Sequence, residues 1–305
     1  MCGRVGVLCG GLSPERDISL QSGEAVHAAL AAAGLEAVIL DMGTEPLAQL
    51  HSAAIQSAFL VLHGPGGEDG SMQALLEALR IPYTGSGVAA SALALDKYRS
   101  KLLWQGLGLP TAPFELLRAQ SDWVAVLQRL GGRVCVKPAR EGSSLGMSYA
   151  DSPAALREAT ALALEHDRQV IAERWLPGRE FSVAVLAGCA LPAIELRMPE
   201  PFYTYEAKYL SAETEYLCPA PLQDAALVEL ERISLAAFDS LGCAGWGRVD
   251  VRMDESGAFQ LLEVNGAPGM TAHSLVPMAA AKAGLDMAGL CLRILQIGSE
   301  TGGRA

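Results

Sequence analysis

The chain has 305 residues, and half of them are hydrophobic, so it can bury a large core and divide into two or three domains of ~100–200 residues. Its 23 basic and 34 acidic side chains give a net charge of -11, and no cluster of Lys and Arg is long enough to follow a nucleic-acid backbone, so we expect no nucleic acid partner. No apolar run approaches the ~20 residues of a membrane span, and the N-terminus lacks a signal-peptide pattern, which predicts a cytoplasmic protein without a membrane partner.

Predicted strands and helices alternate in the first third of the chain, which indicates a doubly wound α/β unit with a parallel sheet. Its predicted elements are a strand at 4–9, a helix at 17–33, strands at 37–41 and 59–63, and a helix at 71–79. A helical stretch at 87–107 follows, and Gly108-Leu109-Pro110 ends it.

Two further α/β units follow, with a predicted hinge between them at Leu176-Pro177-Gly178. The central unit combines a helix at 121–130, strands at 133–137 and 146–149, a helix at 153–166 and a strand at 169–175. The last unit has strands at 180–186 and 191–196, an irregular segment at 198–211, a helix near 224–241, a hairpin and terminal helices. We therefore predict three domains, at 1–95, 96–177 and 178–305.

The stretch from Gly245 to Gly269 predicts a hairpin with charged and amide side chains on one face. A four-residue turn at 254–257 sets Met253 against Ala258, and therefore Arg248 against Glu263. Because side chains alternate between the two faces of a strand, this face also receives Asp250 and Asn265. The opposite face, which we expect to pack on a core, receives Val249, Val251, Leu262 and Val264.

Two carboxylates and an amide oxygen are hard ligands, which suit Mg²⁺ or Mn²⁺ better than zinc. Asp250, Glu263 and Asn265 are therefore candidate metal ligands, and Arg248 beside them suits the phosphates that such a metal carries. The alternative is a solvated hairpin face with an ion pair between Arg248 and Glu263.

Four other segments suit an anionic or nucleotide ligand. A Gly turn at 10–16 opens a helix, and His63 lies at the carboxyl end of a strand, where open α/β sheets bind ligands. Lys137 ends a strand before a Gly/Ser loop at 140–146, which can hold phosphates although the chain has neither a P-loop nor a GxGxxG motif. The extended edge at 173–176 can hydrogen-bond an adenine, with Glu180 near a ribose. Each segment also has a structural interpretation, as a tight turn, a buried histidine or an exposed lysine.

Motifs in one order along nearly the whole chain resemble those of the D-alanine:D-alanine ligases, which have the ATP-grasp fold. They include GGLSPERDISL at 10–20, LHGPGGEDG at 62–70, LDKYRSK at 95–101, VKPAREGSSLGMS at 136–148, ERWLPGREFSVAVL at 173–186, YTYEAKYLSAETEY at 203–216 and LLEVNGAPGMTAHSLVP at 261–277. The resemblance implies an N-terminal substrate domain, with ATP held between the central and C-terminal domains.

The resemblance also implies roles for residues at matching positions. It implies catalytic roles for Glu15, Ser143, Tyr209 and Arg248. The two D-alanines are held by Glu15, His63, Ser274 and Leu275, and two Mg²⁺ (or Mn²⁺) ions by Asp250, Glu263 and Asn265. The implied ATP contacts are Lys97, Lys137, Glu173, Arg174, Trp175, Leu176, Glu180 and Lys208. Arg174 stands where many relatives have Lys, and Gly266-Ala267 replaces the commoner Thr-Ser.

The implied reaction joins two D-alanines at the expense of ATP, for peptidoglycan precursors, in a cytoplasmic homodimer. Phosphorylation gives the first carboxylate the leaving group that it lacks. The alternatives are a D-alanine:D-lactate ligase of the same fold and a catalytically silent nucleotide-binding regulator. A nucleotide-binding dehydrogenase is disfavoured because GxGxxG is absent.

Overall fold

In the part of the chain that the structure describes, the strands form three sheets, one parallel and two antiparallel. The computed structural model describes residues 3–142, 145–197 and 214–301. The segment at 198–211, predicted to be irregular, lies outside these ranges.

The N-terminal sheet is parallel and has helices on both faces, which confirms the predicted doubly wound unit. Its elements are β1 (Val5–Gly10), α1 (Arg16–Ala32), β2 (Ala37–Met42), α2 (Pro46–Ala53), β3 (Ser57–Leu60) and α3 (Ser71–Ala78). Val5 and Val7 of the central strand β1 pack with α1, whereas Leu8 on the other face packs with α2 and α3. Helix α2 is absent from the predicted elements, although Pro46 at its first position is a helix-start signal.

The predicted helical stretch at 87–107 is two helices, α4 (Val88–Leu95) and α5 (Lys97–Gly106). Asp96 between them has an extended backbone, and its carboxylate accepts a hydrogen bond from the Arg99 backbone N–H at 3.0 Å. This N-cap stabilises the start of α5, so the prediction of one continuous stretch is wrong at Asp96. The break places Lys97 at the beginning of a helix.

The second sheet is antiparallel, with the strand order β4-β7-β5-β6. Its elements are β4 (Phe114–Leu117), α6 (Trp123–Leu130), β5 (Val134–Pro138), β6 (Ser148–Ala150), α7 (Pro153–Leu164) and β7 (Val170–Arg174). Helices α6 and α7 share one apolar cluster with this sheet, in which Val134, Val136 and Leu156 are fully buried. Strand β4 is a further element that the predicted pattern omits.

The third sheet is antiparallel, with the order β11-β10-β8-β12-β13 and a short strand β9 paired to β8. The strands are β8 (Glu180–Leu186), β9 (Cys189–Ala190), β10 (Ile194–Arg197), β11 (Glu215–Leu217), β12 (Trp246–Met253) and β13 (Phe259–Asn265). Phe181 and Val183 of β8 pack with helix α8 (Asp224–Ser240) on one face. Leu186 packs on the other side into the cluster of the N-terminal unit, so the third sheet and the first unit share a core.

Two helices close the described chain, α9 (Leu275–Lys282) and α10 (Met287–Thr301). Both contribute buried residues, such as Val276 and Leu290, to the cluster that contains β1 and α1. Among the described residues, no single helix is long and apolar enough to cross a membrane. In the same residues, one pair of segments, α9 and Met287–Ser299, reaches that length and composition when the two are counted as a single span, and a bend separates them.

The β12–β13 hairpin forms as predicted, but with a different register. Met253 lies opposite Phe259, not Ala258, and Arg248 lies opposite Asn265, not Glu263. One shift comes from the turn, where the Asp254 carboxylate accepts hydrogen bonds from the Ser256 and Ala258 backbone N–H groups.

The second shift is a bulge in β13. The register jumps from Val251 opposite Leu261 to Asp250 opposite Glu263, which leaves Leu262 as the extra residue. Leu261 is fully buried in the core, whereas Leu262 lines a cavity, so its predicted core position is wrong.

We predict that Leu156→Ala lowers the free energy of unfolding by about 2–5 kcal/mol, because Leu156 is fully buried beneath the second sheet. Leu162 on the same helix is 45% exposed, so Leu162→Ala is the matched control, with an expected change within about 0.5 kcal/mol. Urea unfolding of both variants measures the difference. Equal losses would show that the α7 face does not pack as described.

Candidate functional site

A cleft lies between the second and third sheets, and most of the residues predicted to contact a nucleotide line it. Strand β5 supplies Lys137, and β12 and β13 supply Asp250 and Glu263. The predicted residues that line this intersheet cleft are Lys97, Lys137, Glu173, Arg174, Trp175, Leu176, Glu180, Asp250 and Glu263. The pattern of polar groups around an apolar floor suits a small organic ligand with charged substituents.

Glu173 is held between two lysines at one end of this cleft. The carboxylate is 2% exposed, with one oxygen accepting a hydrogen bond from Lys101 and the other forming an ion pair with Lys137. Burial acts to raise the pKa of Glu173, but the two ammonium groups outweigh it and hold the pKa below its ordinary value. Glu173 is therefore an ionised acceptor at the cleft wall.

A cation–π contact and an ion pair, both made by one arginine, fix the edge of the cleft at residues 174–180. The Arg252 guanidinium lies 5.0 Å from the centre of the Trp175 ring and 3.4 Å from the Glu180 carboxylate. The Arg174 side chain instead donates a hydrogen bond to the Leu130 carbonyl at 3.2 Å, at the end of α6. The Arg found here in place of the commoner Lys thus caps a helix C-terminus.

A second, larger cavity adjoins the cleft and is formed by all three sheet units. Lys97 and Glu263 line both spaces, so their ion pair of 2.8 Å marks the junction between them. Lys97 also donates a hydrogen bond to the Glu141 carbonyl at 2.7 Å, which ties it to the start of the Gly/Ser loop. The predicted residues that line this central cavity are Glu15, His63, Lys97, Arg248, Glu263, Asn265, Ser274 and Leu275.

Glu15 lies at the start of α1 with its carboxylate beneath two glycines. A Cβ added at Gly142 would lie 2.4 Å from Glu15 Oε2, and one at Gly64 would lie 3.0 Å from the same atom. Any larger residue at position 142 would therefore displace the carboxylate. Glycine here permits the loop to approach an acidic group that is 7% exposed.

His63 and Glu68 both contact the backbone of Ala267, in the loop that follows β13. His63 makes a hydrogen bond with that backbone, and burial lowers the pKa of the imidazole. Glu68 accepts hydrogen bonds from the backbone N–H groups of Ala267 and Gly64 at 3.0 and 2.8 Å. Because these contacts involve only the backbone of Ala267, the loop keeps its position without the hydroxyl groups of the commoner Thr-Ser.

Asp250 is the centre of the hairpin's polar face. Arg248 Nε and Nη2 donate to its two carboxylate oxygens at 2.9 and 2.7 Å, a bidentate pair within one strand. The Ser182 hydroxyl and the Asn265 amide donate to Asp250 at 2.9 and 3.0 Å. The alternative interpretation, an ion pair between Arg248 and Glu263, is not what the structure shows: Arg248 pairs with Asp250, and Lys97 pairs with Glu263.

The three predicted metal ligands lie together on this face. Asp250 is directly opposite Glu263, and the Asn265 amide nitrogen donates to Asp250. The two carboxylates and the amide oxygen of Asn265 are ligand types that Mg²⁺ prefers. Within the described ranges, no group of three His, Cys, Asp or Glu side chains is placed to hold a metal ion, so the site would consist of two carboxylates and an amide. The donor chemistry fits a hard divalent cation.

Ser274 and Leu275 lie where α9 begins. Ser274 has an extended backbone at the N-cap position, and its hydroxyl accepts a hydrogen bond from the Thr271 backbone N–H at 3.0 Å. Leu275 is the first residue of the helix. The helix dipole and the first N–H groups therefore face the central cavity, which favours an anion there.

The structure brings together most of the predicted site residues. Ser143, Lys208 and Tyr209 lie outside the described residues. Sequence reasoning assigned no role to Lys101 or to Glu68. The sequence signal for Lys101 was its spacing, since it lies four residues after Lys97 and therefore on the same helical face.

The three-sheet architecture, with a lysine- and carboxylate-lined cleft between two antiparallel sheets, defines a mixed α/β protein of the ATP-grasp fold class. Family models described as "D-ala D-ala ligase C-terminus" and "D-ala D-ala ligase N-terminus" match residues 103–296 and 44–86. The chain belongs to the D-Ala-D-Ala ligase family.

Individual relatives agree with this assignment. D-alanine–D-alanine ligases from Pseudomonas putida (strain GB-1) and Saccharophagus degradans are each 53% identical over 293 residues, which cover 96% of this chain and 92% and 93% of theirs. A D-alanine–D-alanine ligase structure from Bacillus anthracis superposes with a TM-score of 0.89 at 32% identity, covering 99% of each chain. A structure of the Bacillus anthracis ligase complexed with ATP gives 0.86 at 29%, again covering 99% of each chain.

We predict that Glu68 makes stability fall as the pH rises from 4.5 towards 7. Burial and the nearby Glu15 carboxylate raise the pKa of Glu68 from 4.5 to about 7, so over this range the folded state keeps a proton that the unfolded chain releases. Glu68→Gln should remove this contribution, while Glu255→Gln in the exposed hairpin turn should not. Urea unfolding at about pH 5 and about pH 7.5 measures the slopes. Parallel slopes for the wild type and Glu68→Gln would contradict the prediction.

Proposed function

We propose that this chain is a D-alanine:D-alanine ligase, which uses ATP to join two D-alanines into D-alanyl-D-alanine for peptidoglycan precursors. ATP occupies the intersheet cleft, and the two amino acids occupy the central cavity. The names of the relatives and the ATP complex of the Bacillus anthracis ligase support this assignment. The proposal places the enzyme in the cytoplasm, as a homodimer with domains at 1–95, 96–177 and 178–305.

One observation carries the proposal: the two cavities meet at the ion pair of Lys97 and Glu263. A phosphoryl group that leaves a nucleotide in the cleft must pass this junction to reach a carboxylate in the central cavity. Lys97 is 9% exposed and lies where charge moves during the transfer. A lysine placed in this way stabilises a migrating phosphoryl group electrostatically.

The first D-alanine is held at the start of α1. The Glu15 carboxylate binds its ammonium group, and His63 lies near its carboxylate. Transfer of the γ-phosphoryl group forms an O–P bond at that carboxylate and releases ADP. The product is an acyl phosphate, which carries a good leaving group on the carbonyl carbon.

The second D-alanine binds with its carboxylate at the start of α9, near Ser274 and Leu275. Its amine attacks the acyl phosphate, a C–N bond forms, and phosphate and a proton leave. Arg248 stabilises the negative charge on the tetrahedral oxygen. The bidentate contact with Asp250 orients the guanidinium before the reaction.

The proposed metal ligands are Asp250, Glu263 and Asn265, and two Mg²⁺ or Mn²⁺ ions there would neutralise the phosphates of ATP during transfer. Lys137 contacts phosphates from the cleft wall. Glu173, Trp175, Leu176 and Glu180 line the adenosine pocket, whereas Arg174 contributes through its backbone. The roles implied for Ser143, Tyr209 and Lys208 are to close the site over the acyl phosphate and to reach the transferred phosphate, so that water is excluded.

The proposal is tested by ATP turnover of the purified protein with Mg²⁺ and D-alanine, following ADP release and the product mass. We expect stoichiometric ADP and D-alanyl-D-alanine, loss of turnover with a chelator and recovery with excess Mg²⁺. D-lactate as a competing acceptor distinguishes the depsipeptide ligase. ATP binding without turnover would instead support a silent nucleotide-binding regulator.

We predict that Arg248→Ala lowers turnover about 10²–10³-fold, because it removes the donor to the oxyanion, and leaves the affinity for ATP nearly unchanged. Arg232→Ala is the control, since that arginine is 58% exposed and pairs only with Glu229 among the described contacts. Steady-state kinetics and ATP titration measure both quantities. Turnover of Arg248→Ala near the wild-type rate would remove Arg248 from its proposed role.

A further inference from the structure

Lys101 is a buried cation that the proposed mechanism does not use. Its side chain is fully buried, on the same face of α5 as Lys97. The ammonium donates three hydrogen bonds, to the Glu173 carboxylate, to the Thr111 hydroxyl at 2.8 Å and to the Leu261 carbonyl at 2.9 Å. All three of its donor positions are therefore used inside the protein.

The cluster of Lys101, Glu173 and Lys137 contains two positive charges and one negative charge. A single carboxylate lies between two ammonium groups, and each takes one of its oxygens. The cluster carries a net charge of +1. Without Lys101, Glu173 and Lys137 would form a neutral pair.

The surplus positive charge faces the intersheet cleft. Lys137 lines that cleft, whereas Lys101 is enclosed behind Glu173. Burial acts to lower the pKa of Lys137, but the charge of Glu173 outweighs it and raises the pKa above its ordinary value. Burial lowers the pKa of Lys101 to about 8 against the opposing effect of Glu173, so both lysines are cationic at pH 7.

Lys101 also joins the two sheets that form the cleft. Glu173 belongs to β7 of the second sheet, and Leu261 lies in β13 of the third, immediately before the bulge at Leu262. The ammonium therefore spans the back of the cleft. It fixes the strand that carries Glu263 relative to the strand that carries Glu173.

We propose that Lys101 is a positioning residue for the nucleotide: it neutralises Glu173 from the buried side and so leaves the charge of Lys137 available to the nucleotide phosphates. The inference rests on the proposed binding of ATP in the cleft. It requires no contact between Lys101 and the ligand. Removal of Lys101 should therefore weaken the binding of ligands that carry phosphate groups and leave the binding of adenosine unchanged.

The test compares the dissociation constants of ADP with Mg²⁺ and of adenosine, measured by calorimetry without D-alanine. In Lys101→Met the preference for ADP over adenosine should fall about 10–100-fold, the worth of one charged hydrogen bond, with adenosine affinity nearly unchanged. The double variant Lys101→Met/Glu173→Gln removes both buried charges and should restore the wild-type preference to within about threefold, because no carboxylate then offsets the charge of Lys137.

Leu50→Ala is the stability control, because Leu50 is 1% exposed in α2 and lines neither the intersheet cleft nor the central cavity. It should lower stability without changing the ADP preference.

Equal weakening of ADP and adenosine binding in Lys101→Met, or a preference for ADP that stays low in the double variant, would overturn the inference. If Lys101→Met does not fold, Lys101→Gln, which removes the charge and keeps a hydrogen-bond donor, replaces it with the same expected loss, and an unchanged ADP preference in Lys101→Gln would overturn the inference. Binding of ADP and adenosine to the wild type is measured without turnover. Absence of ATP turnover with D-alanine would therefore reject the proposed ligase activity but not the role of Lys101.

Discussion

The neutralisation of three carboxylates between two sheets is the constraint on which the rest of the site depends. Glu173, Asp250 and Glu263 each face a cation, from Lys101 and Lys137, Arg248 and Lys97 respectively. A buried carboxylate without a partner is costly. Lys101 joins Glu173 of the second sheet to the Leu261 carbonyl of the third, and so fixes how the two sheets approach each other. The same cations suit phosphates. The forces that assemble the cleft therefore also prepare it for a nucleotide.

The junction of the two cavities extends this principle to the substrates. Lys97 is held at the start of α5 by the Asp96 cap, and its ammonium reaches both Glu263 and the Glu141 carbonyl. One side chain thus links the helix, the hairpin and the Gly/Ser loop. The helix, the hairpin and the loop meet at the point where the proposed phosphoryl transfer takes place, so their arrangement and the chemistry depend on the same contacts.

The hairpin shows how a functional face can be predicted although its register is not. The turn shifts the pairing by one residue and the bulge at Leu262 by another, so Asp250 faces Glu263 and Arg248 faces Asn265. Two single-residue shifts restore the original alternation, and the predicted polar face keeps its four members. Only Leu262 changes sides. Its neighbour Leu261 is also a leucine, so the alternation pattern could not identify which of the two is the extra residue.

The sequence by itself determined the parallel N-terminal unit, most helix and strand positions, and the polar face of the hairpin, because periodicity and turn residues act over short distances. The motif resemblance added the ATP-grasp arrangement and the residues of the site. Only the tertiary structure decided that Lys101 lies behind Glu173, that Glu68 holds the Ala267 backbone and that Arg174 caps α6. These contacts join residues separated by 72, 199 and 44 positions, and their geometry depends on how whole sheets pack, which no local pattern records.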